Sequence, residues 1–116
     1  MCSGKVYYDL YEEREKRGID DVYLLRLEQL YPVPLKALVQ ELGRFPKAQF
    51  VWCQEEPRNM GAYSFLESYL EWALHQVGAQ SERTIYAGRP ASAATATGQT
   101  SQHLKQLQGL LDDALG

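Results

Sequence analysis

The chain has 116 residues, which suits one domain with one core and is too short for the paired domains that most large-cofactor enzymes need. A composition of 45% apolar, 23% charged and 11% aromatic residues excludes a collagenous, low-complexity or broadly disordered chain. The formal charge of -3 gives no excess of Lys and Arg for nucleic-acid phosphates, and no apolar run approaches the roughly 20 residues of a membrane span.

In chain order, residues 5 to 17 place Val6, Tyr7, Leu10 and Tyr11 on one helical stripe, with Gly18 suited to the left-handed position after a helix. The run Glu12 to Arg17 mixes both signs, and Glu12 to Lys16 and Glu13 to Arg17 form favourable i, i+4 pairs on a solvated face. Val22 to Leu27 is a nearly continuous apolar run and predicts a strand covered on both faces. Pro34 suits a helix start, and Leu35, Leu38, Val39 and Leu42 supply its stripe up to Gly43.

Gln49 to Gln54 is aromatic and β-branched and predicts a second strand, with Pro57 opposing continuation. From about Asn59 to Val77 the residues Tyr63, Leu66, Leu70, Ala73, Leu74 and Val77 predict the longest helix, ended by Gly78. Thr84 to Ala87 predicts a short strand, Gly88 to Gly98 a small, hydroxyl-rich loop, and Leu104, Leu107, Leu111 and Ala114 a final helix. Helices alternating with short apolar strands predict an α/β domain with a largely parallel sheet, occupying residues 1–116 as one unit.

Residues with chemical potential collect just after the predicted strands, where open α/β sheets place their ligand crevices. Ser3-Gly4-Lys5 reads either as a helix N-cap with a turn glycine or as a short anion-binding entrance to the first helix. Gln54-Glu55-Glu56-Pro57-Arg58 offers adjacent carboxylates, but neighbours in sequence point apart, which favours inter-domain recognition over acid-base work. Arg89 would project towards the edge shared with Lys5 and Arg58, either to hold a phosphate with them or to pair with Glu55 or Glu56.

His75 and His103 stand without the i, i+4 partners of zinc motifs, and Cys2 and Cys53 form neither a disulfide framework nor a ligand cluster. The aromatic set Tyr7, Tyr11, Tyr63 and Tyr69 reads as core and interface. No catalytic residue, metal site or chain-bound cofactor is expected. Buried thiols and the absence of a signal-peptide pattern point to a cytoplasmic or equally reducing compartment.

Four segments carry a family resemblance: Cys2 to Leu10, Arg26 to Pro32, Val51 to Pro57 and Tyr86 to Ser92. In order and spacing they resemble the C-terminal domain of the decarboxylating component of 2-oxoglutarate dehydrogenases. The resemblance implies a three-layer α/β/α, transketolase C-terminal-like fold whose central strand runs into the Cys-Ser-Gly-Lys turn, so that strand would be cut away before Met1.

It further implies that thiamine diphosphate and magnesium are held upstream of this domain, which supports the dimer. The implied partners are the upstream domains, the homodimer mate, the lipoyl-bearing succinyltransferase component and an AMP or acetyl-CoA effector. By resemblance the effector contacts are Ser3, Lys5, Arg26, Gln54 and Arg89, and the compartment is the cytoplasm or, in a eukaryote, the mitochondrial matrix. After Asn59 the sequence departs from some relatives, which implies a different neighbouring surface there. A free-standing nucleotide- or acyl-CoA-binding module and the C-terminal domain of another transketolase-like enzyme are the alternative readings.

Overall fold

The computed structural model describes residues 1–28, 30, 32–89 and 100–116, with the side chains of residues 100–104 outside the description. The expected loop beyond Arg89, including Pro90 and Ser92, and the His103 and Leu104 side chains therefore lie outside the described residues. The elements are α1 (Val6–Arg17), α2 (Leu35–Leu42), β1 (Val51–Pro57), α3 (Tyr63–Gln76), β2 (Ile85–Arg89) and α4 (Thr100–Leu115). Together they make a small mixed α/β domain.

The strands β1 and β2 pair in parallel, with Val51, Trp52 and Cys53 opposite Ile85, Tyr86 and Ala87. A parallel pair needs a long crossover, which α3 supplies. Beyond Cys53 the register shifts, so that Pro57 faces Arg89. Pro57 ends β1 rather than preventing its extension, because a strand's last residue can do without its N–H. β2 likewise runs two residues past the expected Ala87: Gly88 lies so close to β1 that a Cβ there would stand 2.7 Å from the Gln54 carbonyl oxygen.

The predicted strand from Val22 to Leu27 is not a regular strand. It makes one isolated parallel bridge, from Arg26 to Cys2, and Cys2 makes another to Cys53. The Cys2 N–H donates to the Leu25 carbonyl at 3.0 Å, and Leu27 N–H donates to the Cys2 carbonyl at 2.8 Å. This segment has the apolar content of a strand, but its ladder bonds among the described residues are made to Cys2. One rung thus crosses four segments in the order Arg26, Cys2, Cys53, Ala87.

Alternation along β1 divides the interior. Trp52, fully buried, joins Leu38, Leu42, Tyr63, Leu66, Leu70 and Leu74 in the cluster under α2 and α3. Cys53 faces the other way and joins Cys2, Val6, Leu10, Ala87, Leu110 and Leu111 under α1 and α4. Helices α1, α2 and α3 bury Val6 and Leu10, Leu38 and Leu42, and Leu66, Leu70, Ala73 and Leu74 where their spacing puts them. Two corrections apply: on α4 the buried residues are Leu110, Leu111 and Leu115, with the expected Leu107 and Ala114 only partly buried, and Tyr11 on α1 stands 47% exposed beneath Arg14, whose guanidinium carbon lies 5.2 Å from the ring centre. Of the expected helix-surface pairs, Glu13 meets Arg17 at 3.1 Å. Arg17 also reaches Asp112 and ties α1 to α4.

α3 begins at Tyr63, four residues later than expected from Asn59, because residues 58–62 form a turn in which Gly61 takes φ +68°. No described helix is long and apolar enough to cross a membrane.

Candidate functional site

The rung Arg26–Cys2–Cys53–Ala87 marks the C-terminal edge of the parallel segments, and every expected effector contact lies on it or within three residues beyond it. Ser3 and Lys5 follow Cys2, Gln54 follows Cys53, and Arg89 follows Ala87. The fold therefore gathers residues scattered over 87 positions of sequence onto one edge, the position at which open α/β sheets meet ligands and neighbouring domains.

The turn into α1 depends on Gly4, whose φ of +73° is costly for any residue with a Cβ. Ser3 is not the N-cap; Lys5 holds that place, with no side-chain cap bond. The Lys5 ammonium crosses to β1 and meets Glu55 at 3.1 Å, with 76% of the lysine side chain exposed. The hydrogen bond and charge of Glu55 raise the Lys5 pKa above its ordinary value. Glu55 and Glu56 diverge, as expected of neighbours in sequence: Glu55 is half-buried at this bridge and Glu56 is exposed.

Arg26 lies against α1. Its guanidinium donates to the Tyr8 hydroxyl at 3.2 Å and stands 5.5 and 5.1 Å from the ring centres of Tyr7 and Tyr8. The Tyr8 hydrogen bond is the leading cause of its raised pKa. Arg26 Nε is buried with no hydrogen-bond partner among the described residues, so the fold does not use all of its donors.

Gln54 is the buried member of the set, 3% exposed. Its Oε1 accepts from Trp52 Nε1 and from the Tyr63 N–H, both at 3.0 Å. Its Nε2 donates to the carbonyls of Glu56, Pro57 and Met60 at 3.2, 2.9 and 2.8 Å. One amide thus closes the end of β1, orders the turn after it and caps α3 at its first residue. Its role in the described structure is internal.

Arg58 is held on the α3 side by Glu67 at 3.2 Å, with the ring centres of Tyr63 and Tyr86 at 5.2 and 5.3 Å. Its backbone N–H donates to the Arg89 carbonyl at 3.1 Å, where Tyr86 also donates its hydroxyl. Arg58 is therefore engaged by α3 and the aromatics, whereas Lys5 is engaged by Glu55. The aromatic partners of the cations are what sequence reasoning missed. The adjacent Tyr7 and Tyr8 on α1 were the available signal, since one face of that helix had to look along the sheet edge.

Both thiols are buried and unpaired as a disulfide, and burial pushes the Cys53 thiol up to about 12. Among the described residues no three His, Cys, Asp or Glu side chains come together as a metal site.

A mixed α/β domain with cations and a buried polar clasp at the C-terminal edge of its parallel segments is of the class that meets ligands or neighbouring domains at that edge. A family model for the 2-oxoglutarate dehydrogenase C-terminal region matches residues 1–115, and the chain belongs to that family. It is 68% identical over all 116 residues to the 2-oxoglutarate dehydrogenase E1 components of Brucella anthropi, Brucella ovis and Brucella canis. It spans 12% of the length of each of these relatives.

Proposed function

We propose that this chain acts as the non-catalytic structural and regulatory C-terminal domain of a 2-oxoglutarate dehydrogenase E1 component, with a three-layer, transketolase-like architecture. The observation that carries this reading is 68% identity along the whole chain to enzymes of which it spans only 12%. In the proposed whole enzyme, thiamine diphosphate and magnesium support decarboxylation of 2-oxoglutarate and succinyl transfer to a lipoyl group, in domains preceding this one. The enzyme works in the cytoplasm, as a dimer, beside a lipoyl-bearing succinyltransferase.

The regulatory part of the proposal assigns an AMP or acetyl-CoA phosphate to the charged edge. Lys5, Arg26 and Arg89 supply cations, Ser3 stands by the start of α1, and Gln54 holds the edge in shape. An exposed lysine and an arginine with an unused buried Nε support it. The test is calorimetric titration of AMP and of acetyl-CoA into the full-length enzyme and its Lys5→Ala, Arg26→Ala and Arg89→Ala variants. An affinity loss of about ten-fold or more per cation is expected, the scale of a charge-assisted hydrogen bond. Unchanged affinity in all three variants would refute the effector assignment and leave the structural role.

A further inference from the structure

The two cysteines of the chain are far apart in sequence, and the fold makes them direct neighbours: Cys2 and Cys53 are bridge partners on adjacent parallel segments. The Cys53 N–H donates to the carbonyl of Met1, the residue before Cys2, at 2.9 Å and fixes that register. Both side chains enter the same cluster under α1 and α4, so the thiols stand on one face of one rung. Both are free. Partners on neighbouring strands lie about 4.8 Å apart, inside the roughly 4.4–6.8 Å separation of Cα atoms that a disulfide spans. Packing alone does not require sulfur here, because Ala87 fills the next place on the rung with a methyl group and is as deeply buried.

The two thiols are not equivalent. Cys2 has Arg26 as its bridge partner on the other side, and Arg26 Nε is buried with no hydrogen-bond partner among the described residues. Burial raises the Cys2 thiol pKa and the Arg26 charge opposes that rise, while burial pushes the Cys53 thiol up to about 12. A cation beside a sulfur favours the thiolate, which is the nucleophilic form, so Cys2 reacts first and Cys53 follows. Cys2 also has the more yielding backbone. Gly4, two residues on, turns at φ +73° with open space where a side chain would stand, whereas Cys53 is fixed in β1 between two parallel neighbours.

We infer that Cys2 and Cys53 form an oxidisable dithiol, a modification site for hydrogen peroxide. In the first step the Cys2 sulfur attacks a peroxide oxygen: an S–O bond forms, the O–O bond breaks, and the thiol proton leaves with the departing oxygen as water. In the second step the Cys53 sulfur attacks the sulfenic sulfur of Cys2: the S–S bond forms, the S–O bond breaks, and the Cys53 proton leaves with that oxygen as a second water. The two thiols lose two electrons and the peroxide gains them. The disulfide ties the residue before Ser3 to the residue before Gln54, so the turn that carries Lys5 to Glu55 is held against β1 covalently. In a reducing compartment such a bond is transient and is undone by thiol exchange. Peroxide is little larger than water and needs only a local opening of this edge, which a bulky thiol reagent cannot use. The inference stands apart from the effector reading.

The test treats the full-length enzyme with millimolar hydrogen peroxide for an hour, blocks the remaining thiols, digests with trypsin without reductant and reads the peptides by mass spectrometry. The peptide ending at Lys5 and the peptide 48–58 are expected to appear joined through sulfur, to lose their free-thiol forms, and to regain them on reduction with dithiothreitol. In Cys53→Ser, oxidation is expected to stop at a sulfenic acid on Cys2, captured by dimedone; in Cys2→Ser, Cys53 stays a thiol. Free thiols at both positions after treatment overturn the inference. So does sulfinic acid at either cysteine in place of the joined pair, a bond from either to a third cysteine, or dimedone on Cys53 rather than on Cys2. The joined pair is read in the unmutated enzyme, so that result stands even where a variant does not fold.

Discussion

Replacing Gln54 by leucine keeps the volume of the side chain and removes its five hydrogen bonds. The loss is uneven. The Pro57 carbonyl still accepts from the Met60 N–H at 2.9 Å. Trp52 Nε1 and the Tyr63 N–H, both buried, lose their acceptor. Each buried donor left without a partner costs about 1–3 kcal/mol, and the leucine's own burial offsets about 1 kcal/mol, so a net loss of about 1–5 kcal/mol is expected. Urea unfolding followed by tryptophan fluorescence reads this directly, since Trp52 is fully buried.

Gln54→Glu sharpens the test. A buried carboxyl in that place has a folded pKa raised above its unfolded value of about 4.3. Relative to the parent protein at the same pH, this variant is therefore best tolerated below about pH 4 and loses stability as pH rises through the folded pKa. A Gln54→Leu protein within about 0.5 kcal/mol of the parent would refute the clasp, that being the scatter of ordinary surface substitutions.

Gly88→Ala is expected to cost about 1–3 kcal/mol in the same assay, because the new methyl would meet the Gln54 carbonyl oxygen at 2.7 Å and the backbones must part. A double-mutant cycle on Lys5 and Glu55 should give a coupling of only about 0.2–1 kcal/mol that fades with added salt, since the lysine is 76% exposed. The raised pKa of Lys5 makes that small contribution complete below pH 10.5 and lost as pH rises through the folded value. Cys2 and Cys53 should resist a thiol reagent at pH 8 until the protein unfolds, because burial raises both thiol pKa values; rapid labelling of the folded chain would contradict their burial.

The helices were legible because periodicity is a local property. Leu38 and Leu42 on α2, and Leu66, Leu70 and Leu74 on α3, are buried where their spacing puts them. The extended segments were harder, because a strand is completed by a neighbour distant in sequence. Val22 to Leu27 has strand composition, yet its pairing depends on Cys2. The length of β2 depends on Gly88 lying against Gln54. The charged edge was foreseeable from residues that follow apolar runs. The internal role of Gln54 was not, since the helix it caps starts nine residues later and the pattern around Ala62 holds no capping side chain of its own. The stacking of Arg26 on Tyr7 and Tyr8 joins residues whose common surface exists only once α1 is docked.

The helix α4 packs over both β1 and β2 and closes the cluster around Cys53 and Ala87 with Leu110, Leu111 and Leu115. It is translated after every element it covers. β1 and β2 therefore leave the ribosome ahead of it, with an apolar face that no helix screens until α4 has followed them out and docked. Biosynthesis of this domain thus passes through an interval of adhesiveness, in which the half-built sheet is open to chaperones or to aggregation.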